Sequence, residues 1–296
     1  PVFTRQLRAQ WALSSFSYLS RGATAIPLPS TKAEDIVAPD HDGAGEQPMV
    51  QNKNTPMPPS VFNFPQREVP ASVAGTCVHE VLERWDWQQP DTLEPIVQVA
   101  LQKYGIQTHW LPVVMQMAQM AVQTPITPDG YALQAIPKQQ RLAELGFMFP
   151  LRAITPKDLS ACLQAAGADL PAEFIQAAQH LQFSTIGGYL NGFIDLIFCA
   201  PDGRYYLLDY KTNYLGDTLT DYTAQAMQHA MAHHHYYLQY LIYSIALHRH
   251  LQQRISSYAY DTHFGGAIYL FVRGLNGQNA HSGVYFHRPS LVLLQA

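Results

Sequence analysis

Asp195, Asp209 and Lys211 are the residues of this chain whose types and spacing most directly suggest chemistry. They lie in the stretch GGYLNGFIDLIFCAPDGRYYLLDYKTN between Gly187 and Asn213, which is otherwise apolar. Two carboxylates and an amine on one apolar face are costly to bury unless a cation and a substrate need them there. Ala200-Pro201-Asp202-Gly203 has Pro at the second turn position and Gly at the last, the pattern of a type I turn closed by a left-handed residue. A three-residue loop of this kind sets Ala200 opposite Arg204. Counting back along both strands then places Asp195 opposite Asp209, with Lys211 two residues further on the same face. Two like charges about 5 Å apart repel by about 3 kcal/mol at an effective dielectric near 20. A bridging divalent cation is the expected relief. Ile194, Leu196, Phe198, Leu207 and Leu208 make both faces of the hairpin apolar, which a solvated surface salt bridge would not need.

Asp209-Tyr210-Lys211 after a distant Asp195 is a D-x(n)-[DE]-x-K arrangement. Phosphodiester hydrolysis uses such a set: carboxylates hold Mg²⁺, the metal activates water, and the amine offsets charge on the attacking or phosphoryl oxygens. His79 stands one turn into a helix, off its apolar stripe of Val78, Val81, Leu82 and Trp85, where a nitrogen ligand and an ordinary polar-face histidine are both possible readings. His79-Glu80 followed by Glu83 only mimics a zinc-protease HExxH, since the second histidine is missing. Gln239 and Tyr243 are four apart on a helix flank, suited to hydrogen bonding or to plain packing. Glu144 at a strand start is either a further acidic ligand or a strand-end charge. Of His229, His233, His234 and His235, only the first two align on a helix, which favours a solvated cluster over a zinc hydrolase site.

The elements that must position these residues follow from periodicity. Helices are expected over Thr76–Trp85, Leu93–Tyr104 and Leu111–Val122, from the Thr155-Pro156 cap to Ala166, from Pro171 to Leu181, and from about Asp221 to Leu251. Strands are expected over Ala143–Leu151, in the hairpin, and over Phe264–Arg273 and Gly283–His287. Helices before, between and after strands define an α/β fold, a central mixed sheet flanked by helices. The expected division is an N-terminal segment over 1–21, a Pro-rich linker or disordered loop over 22–70, and a compact domain over 71–296.

Of 296 residues, 47% are hydrophobic and 14% charged, enough for a sizeable core, and the net charge of −4 argues against a broadly basic nucleic-acid coat. Three scattered cysteines supply neither a disulfide framework nor a four-cysteine metal site, and fit a reducing compartment. No signal peptide, membrane-length apolar run or Walker A motif is expected from the sequence. The chain opens on PVFTRQLRAQW without an initiating Met, as a piece of something longer would.

GTCVHEVLE (75–83), AELGF (143–147), GYLNGFIDLI (188–197), LLDYKTN (207–213), LQYLIY (238–243) and HFGGAIYLFVRG (263–274) occur in that order. Together they resemble the RecB-type nuclease domain, the C-terminal domain of the beta subunit of bacterial exodeoxyribonuclease V. The resemblance implies a restriction-endonuclease-like core and Mg²⁺-dependent hydrolysis of single DNA strands from an unwound duplex. By this resemblance His79, Asp195, Asp209 and the Tyr210 carbonyl bind the metal, Lys211 is the catalytic amine and Glu144 an accessory acid. Gln239 and Tyr243 match a Q-x-x-x-Y motif that supports the site and the DNA strand. The implied partners are DNA, RecC-like and RecD-like subunits and a helicase portion absent from this chain, with no membrane, in the bacterial cytoplasm.

Overall fold

The computed structural model of the chain describes residues 12–20, 58–65 and 68–295. The rest of the expected 22–70 linker, and residues 1–11, lie outside the described residues. Six strands form one mixed sheet: β1 (Ala12–Ser14), β2 (Arg141–Ile154), β3 (Ile186–Cys199), β4 (Tyr205–Lys211), β5 (Phe264–Phe271) and β6 (Val284–His287). The order is β1-β3-β4-β5-β6, with β2 along the other edge of β3. β1 with β3 and β4 with β5 are parallel; the remaining pairs are antiparallel.

Two apolar cores cover the two faces. On one lie α2 (Ala71–Arg84), α3 (Leu93–Lys103) and α4 (Leu111–Gln123), packed against Leu196, Phe198, Leu208 and Tyr210. On the other lie α1 (Phe16–Ser20), α5 (Pro156–Ala166), α6 (Ala172–Ala178), α7 (Ala224–His233) and α8 (Tyr236–Arg254), packed against Leu190, Ile194, Ile197 and Leu207. Two short helices, α9 (Tyr260–His263) and α10 (Leu291–Gln295), complete the described set. The expected mixed sheet between helices is therefore observed. Thr155 caps α5 through a reciprocal pair with Asp158, as Thr155-Pro156 predicts.

Three features depart from the sequence reading. The helix expected over 221–251 is two, because His235 takes a left-handed φ of 57° between α7 and α8. Residues 12–20 are part of the sheet and core, with Phe16 and Leu19 buried. Residues 58–65, from the segment whose composition reads as linker, also pack: Phe64 is buried edge-on to Trp110, and the Val61 and Phe62 carbonyls accept from Arg273.

Candidate active site

The hairpin turn behaves as its residues demand. Gly203 has φ 82°, its N–H donates to the Ala200 carbonyl at 2.9 Å, and the Ala200 N–H donates to Arg204 at 2.9 Å. The register that follows is the one the turn predicts, running from Cys199↔Tyr205 to Leu196↔Leu208. The ladder stops there, one pair short of the aspartates. β1 pairs with β3 only at Gly188–Leu190, so the stretch of β3 between β1 and β4 is where the sheet opens. Into this gap the Asp195 carboxylate turns back and accepts the Tyr210 N–H at 2.9 Å.

The two aspartates do not share a face, which corrects the expectation drawn from strict alternation. Leu190 and Ile194 pack toward α8, whereas Leu196 and Phe198 pack toward α2, so alternation slips by one residue at Asp195. Opposite it, Glu144 has φ 52°, flanked by the pairs Ala143↔Leu196 and Leu145↔Ile194. One irregular residue in each strand flips the faces of both while leaving their register intact. A left-handed Glu costs about 1 kcal/mol or more and marks a place where the surroundings hold the backbone. Sequence periodicity carries no sign of such paired slips.

The slip directs Asp195 and Glu144 into a cleft of about 170 Å³, lined also by His79, Glu83, Tyr210 and Arg141. His79 is brought by α2, whose Val78, Val81 and Leu82 anchor it in the core. Its Nδ1 lies 3.2 Å from Asp195 Oδ2, and its ring meets Tyr210 edge-on at 6.0 Å. Burial alone would raise the Asp195 carboxyl; His79, the Tyr210 N–H and Lys211 outweigh it and hold the group below the usual carboxylate range. Glu144 shows the opposite balance. Burial first, then the charges of Asp195 and Glu83, push it up to about 7 against a smaller opposing effect of His79. Glu144 is thus a buried acid with other acids as neighbours.

Asp209 and Lys211 lie with Leu207 on the α8 side. Both are buried, at 2% and 1% exposure, and joined at 2.7 Å. Lys211 Nζ sits 4.0 Å from the Tyr236 ring centroid and 5.5 Å from that of Tyr269. The parallel register sets Tyr269 beside Asp209, and its hydroxyl donates to Gln239 Oε1 at 3.0 Å. Gln239 Nε2 in turn donates to the Tyr243 hydroxyl at 3.2 Å. Burial and then Asp209 raise the Tyr269 hydroxyl, keeping it a neutral donor. Gln239 and Tyr243 are therefore turned into the sheet, not along an open flank. Gly192 allows this, since a side chain there would collide with Phe147 and crowd Tyr243. The sequence reading missed Tyr236 and Tyr269; a register for β4 on β5 would have found the second, but parallel partners are not joined by a readable turn.

The histidine cluster separates at the α7–α8 break. His229 and His233 are exposed, and His229 pairs with Glu173 at 2.6 Å. His234 approaches Asn213 at 3.4 Å, and His235 approaches the Tyr237 hydroxyl at 3.2 Å. Among the described residues, no group of three or more His, Cys, Asp or Glu is gathered into a finished metal cage. The cleft still suits a hard divalent cation by donor type: a carboxylate and an imidazole already adjacent, a second acid raised by burial and by its acidic neighbours, and Tyr210 backbone at the same edge. The 3.2 Å between His79 Nδ1 and Asp195 Oδ2 is close to the about 3.0 Å separating neighbouring ligands in an octahedral site.

A profile of the PD-(D/E)XK nuclease superfamily matches residues 58–287, and the chain belongs to that superfamily. Its sheet flanked by helices is the restriction-endonuclease-like fold of the group, whose members generally use divalent metal ions. Among individual relatives, the chain is 35% identical over 293 residues to the RecBCD enzyme subunit RecB of Escherichia coli, a match covering 96% of this chain and 22% of that protein. RecB of Haemophilus influenzae is 40% identical over 177 residues, covering 60% and 14%. RecB of Mycobacterium tuberculosis is 32% identical over 326 residues, covering 99% and 29%. The chain thus spans under a third of the length of these relatives.

Proposed function

We propose that this chain is the Mg²⁺-dependent DNA nuclease portion of a RecB-like helicase–nuclease subunit. It hydrolyses phosphodiester bonds in single strands unwound by the parent assembly during double-strand break repair and recombination. The observation that carries this reading is the meeting, at one opening of the sheet, of Asp195 and His79 with the Asp209-Tyr210-Lys211 run. His79, Asp195, Asp209 and the Tyr210 carbonyl are the proposed metal ligands, and Glu144 is an accessory acid. A bound divalent ion would polarise the phosphate and lower the pKa of an attacking water. The chain's own residues hold that site in order. The Tyr210 N–H aims Asp195, α2 fixes His79, and Lys211 supplies positive charge to oxygens that become more negative during displacement. Gln239 and Tyr243 position Tyr269 and, through it, the Lys211 side of the site.

The full assembly extends to RecC-like and RecD-like partners and to a helicase portion, in the bacterial cytoplasm. No helix among the described residues is long and apolar enough to cross a membrane. The test is digestion of single- and double-stranded DNA, linear and circular, by this chain with Mg²⁺ and with chelator. Mg²⁺-dependent cleavage lost in Asp209→Ala and Lys211→Ala supports the assignment. Cleavage undiminished in both variants sinks it, and wild-type protein that binds DNA without cutting it would mark a docking module.

A further inference from the structure

The cleft has a basic wall that the proposed metal centre does not use. Trp85, Asp86 and Trp87 follow α2 directly, and Lys138 and Arg141 sit where the chain enters β2; all five line the cleft beside His79, Glu144 and Asp195. The Arg141 guanidinium carbon is 3.3 Å from the Trp87 ring centroid, and one of its nitrogens pairs with Asp86. Lys138 Nζ is 3.3 Å from the other Asp86 oxygen. A single carboxylate thus faces two permanent cations.

Buried donors sharpen the point. The Arg141 side chain is 8% exposed, yet its second terminal nitrogen has no acceptor among the described residues, nor do the indole N–H groups of Trp85 and Trp87. A buried donor left without an acceptor is destabilising. That unmet Arg141 donor, on a guanidinium held against an aromatic ring in the cleft wall, is organised for an oxyanion. Stacking on Trp87 fixes the guanidinium so that little side-chain freedom is lost when an anion binds.

We propose that Arg141 and Lys138 form a phosphate subsite for the nucleic-acid strand, gripping a backbone phosphate next to the one being cut. Asp86 holds the guanidinium in place and competes with that phosphate. The subsite rests on the nuclease reading above, because continuity of the wall with the acidic cluster is what makes a nucleic-acid backbone the ligand.

The experiment is fluorescence anisotropy of a labelled oligothymidylate with the whole chain, in chelator, over a series of salt concentrations. Lys138→Gln is the cleanest variant, since that side chain is 67% exposed. It should weaken binding several-fold and reduce the magnitude of the log Kd against log salt slope by about 0.7, the value for one single-strand phosphate contact. Arg141→Gln should weaken it further, with Arg141→Lys restoring only part. Asp86→Asn should tighten binding, the opposite of what loss of a purely structural ion pair would do. Unchanged affinity and slope in Lys138→Gln, or weakened binding in Asp86→Asn, overturns the subsite. If wild-type protein cleaves DNA while these variants bind like it, the subsite falls and the nuclease reading stands. If wild-type protein neither binds nor cleaves, both fall.

Discussion

Asp195 and Asp209 come from one hairpin yet live in different physical settings. Asp195 opens onto a cleft, is held by an imidazole and a backbone N–H, and neighbours a second acid that burial and nearby carboxylates have pushed toward neutrality. Asp209 is sealed among tyrosines with an amine as its close partner. The first setting leaves ligand positions that a cation can take over; the second fixes a charge pair with little freedom to move. The slips at Glu144 and Asp195 create this division, so a small backbone irregularity decides which carboxylate lines the cleft and which is paired with the amine.

The largest expected effect lies in the sealed half. Asp209→Asn or Lys211→Gln alone should abolish cleavage and also cost about 3 kcal/mol of stability, because each takes one charge out of a buried pair. Asp209→Asn/Lys211→Gln together should recover much of that stability and none of the activity. Chemical denaturation beside a nuclease assay separates the two. In the cleft half, Asp195→Asn should remove activity with a smaller stability loss, since its surroundings are open on one side. Equal destabilisation by Asp195→Asn and Asp209→Asn would erase the distinction between the halves.

A pH test is gentler. Glu144 titrates near 7 in the fold and near 4.5 unfolded, so the unfolded chain releases its proton first as pH rises. The group is neutral in its effect below about 4.5, becomes destabilising as pH climbs through that window, and carries its full cost above 7. Glu144→Gln in chelator should therefore raise Tm at pH 8 by roughly 2–4 °C, about 1 kcal/mol after discounting for solvent screening, and leave it unchanged at pH 4. A gain persisting at pH 4 would assign the effect to backbone strain instead. Smallest of all, His229→Ala and His233→Ala should alter neither cleavage nor Tm measurably, since both side chains are exposed. Lost activity there would bring the histidine cluster back as a site.

Local signals were the readable ones. Pro201 and Gly203 set the hairpin register, Thr155-Pro156 opened a helix, and the α2 stripe placed His79 off its apolar face. What escaped depends on residues distant in sequence or on single backbone angles. The left-handed His235 carries no Gly or Asn to announce it, and the Trp87–Arg141 stack joins residues 54 apart in number, one in the turn after α2 and one at the start of β2. The inward turn of Gln239 and Tyr243 depends on β5, whose alignment beside β4 no short-range pattern encodes.

The strand β1 sets a limit on where the chain can be trimmed. The superfamily match begins at residue 58, and a version starting there would retain every residue of the proposed centre. It would also strip Ala12–Ser14 from the border of β3 and take Phe16 and Leu19 out from beneath α8. The bared β3 border at Gly188–Leu190 would then offer unsatisfied peptide groups to any neighbouring copy, so the shorter protein should precipitate or self-associate on purification.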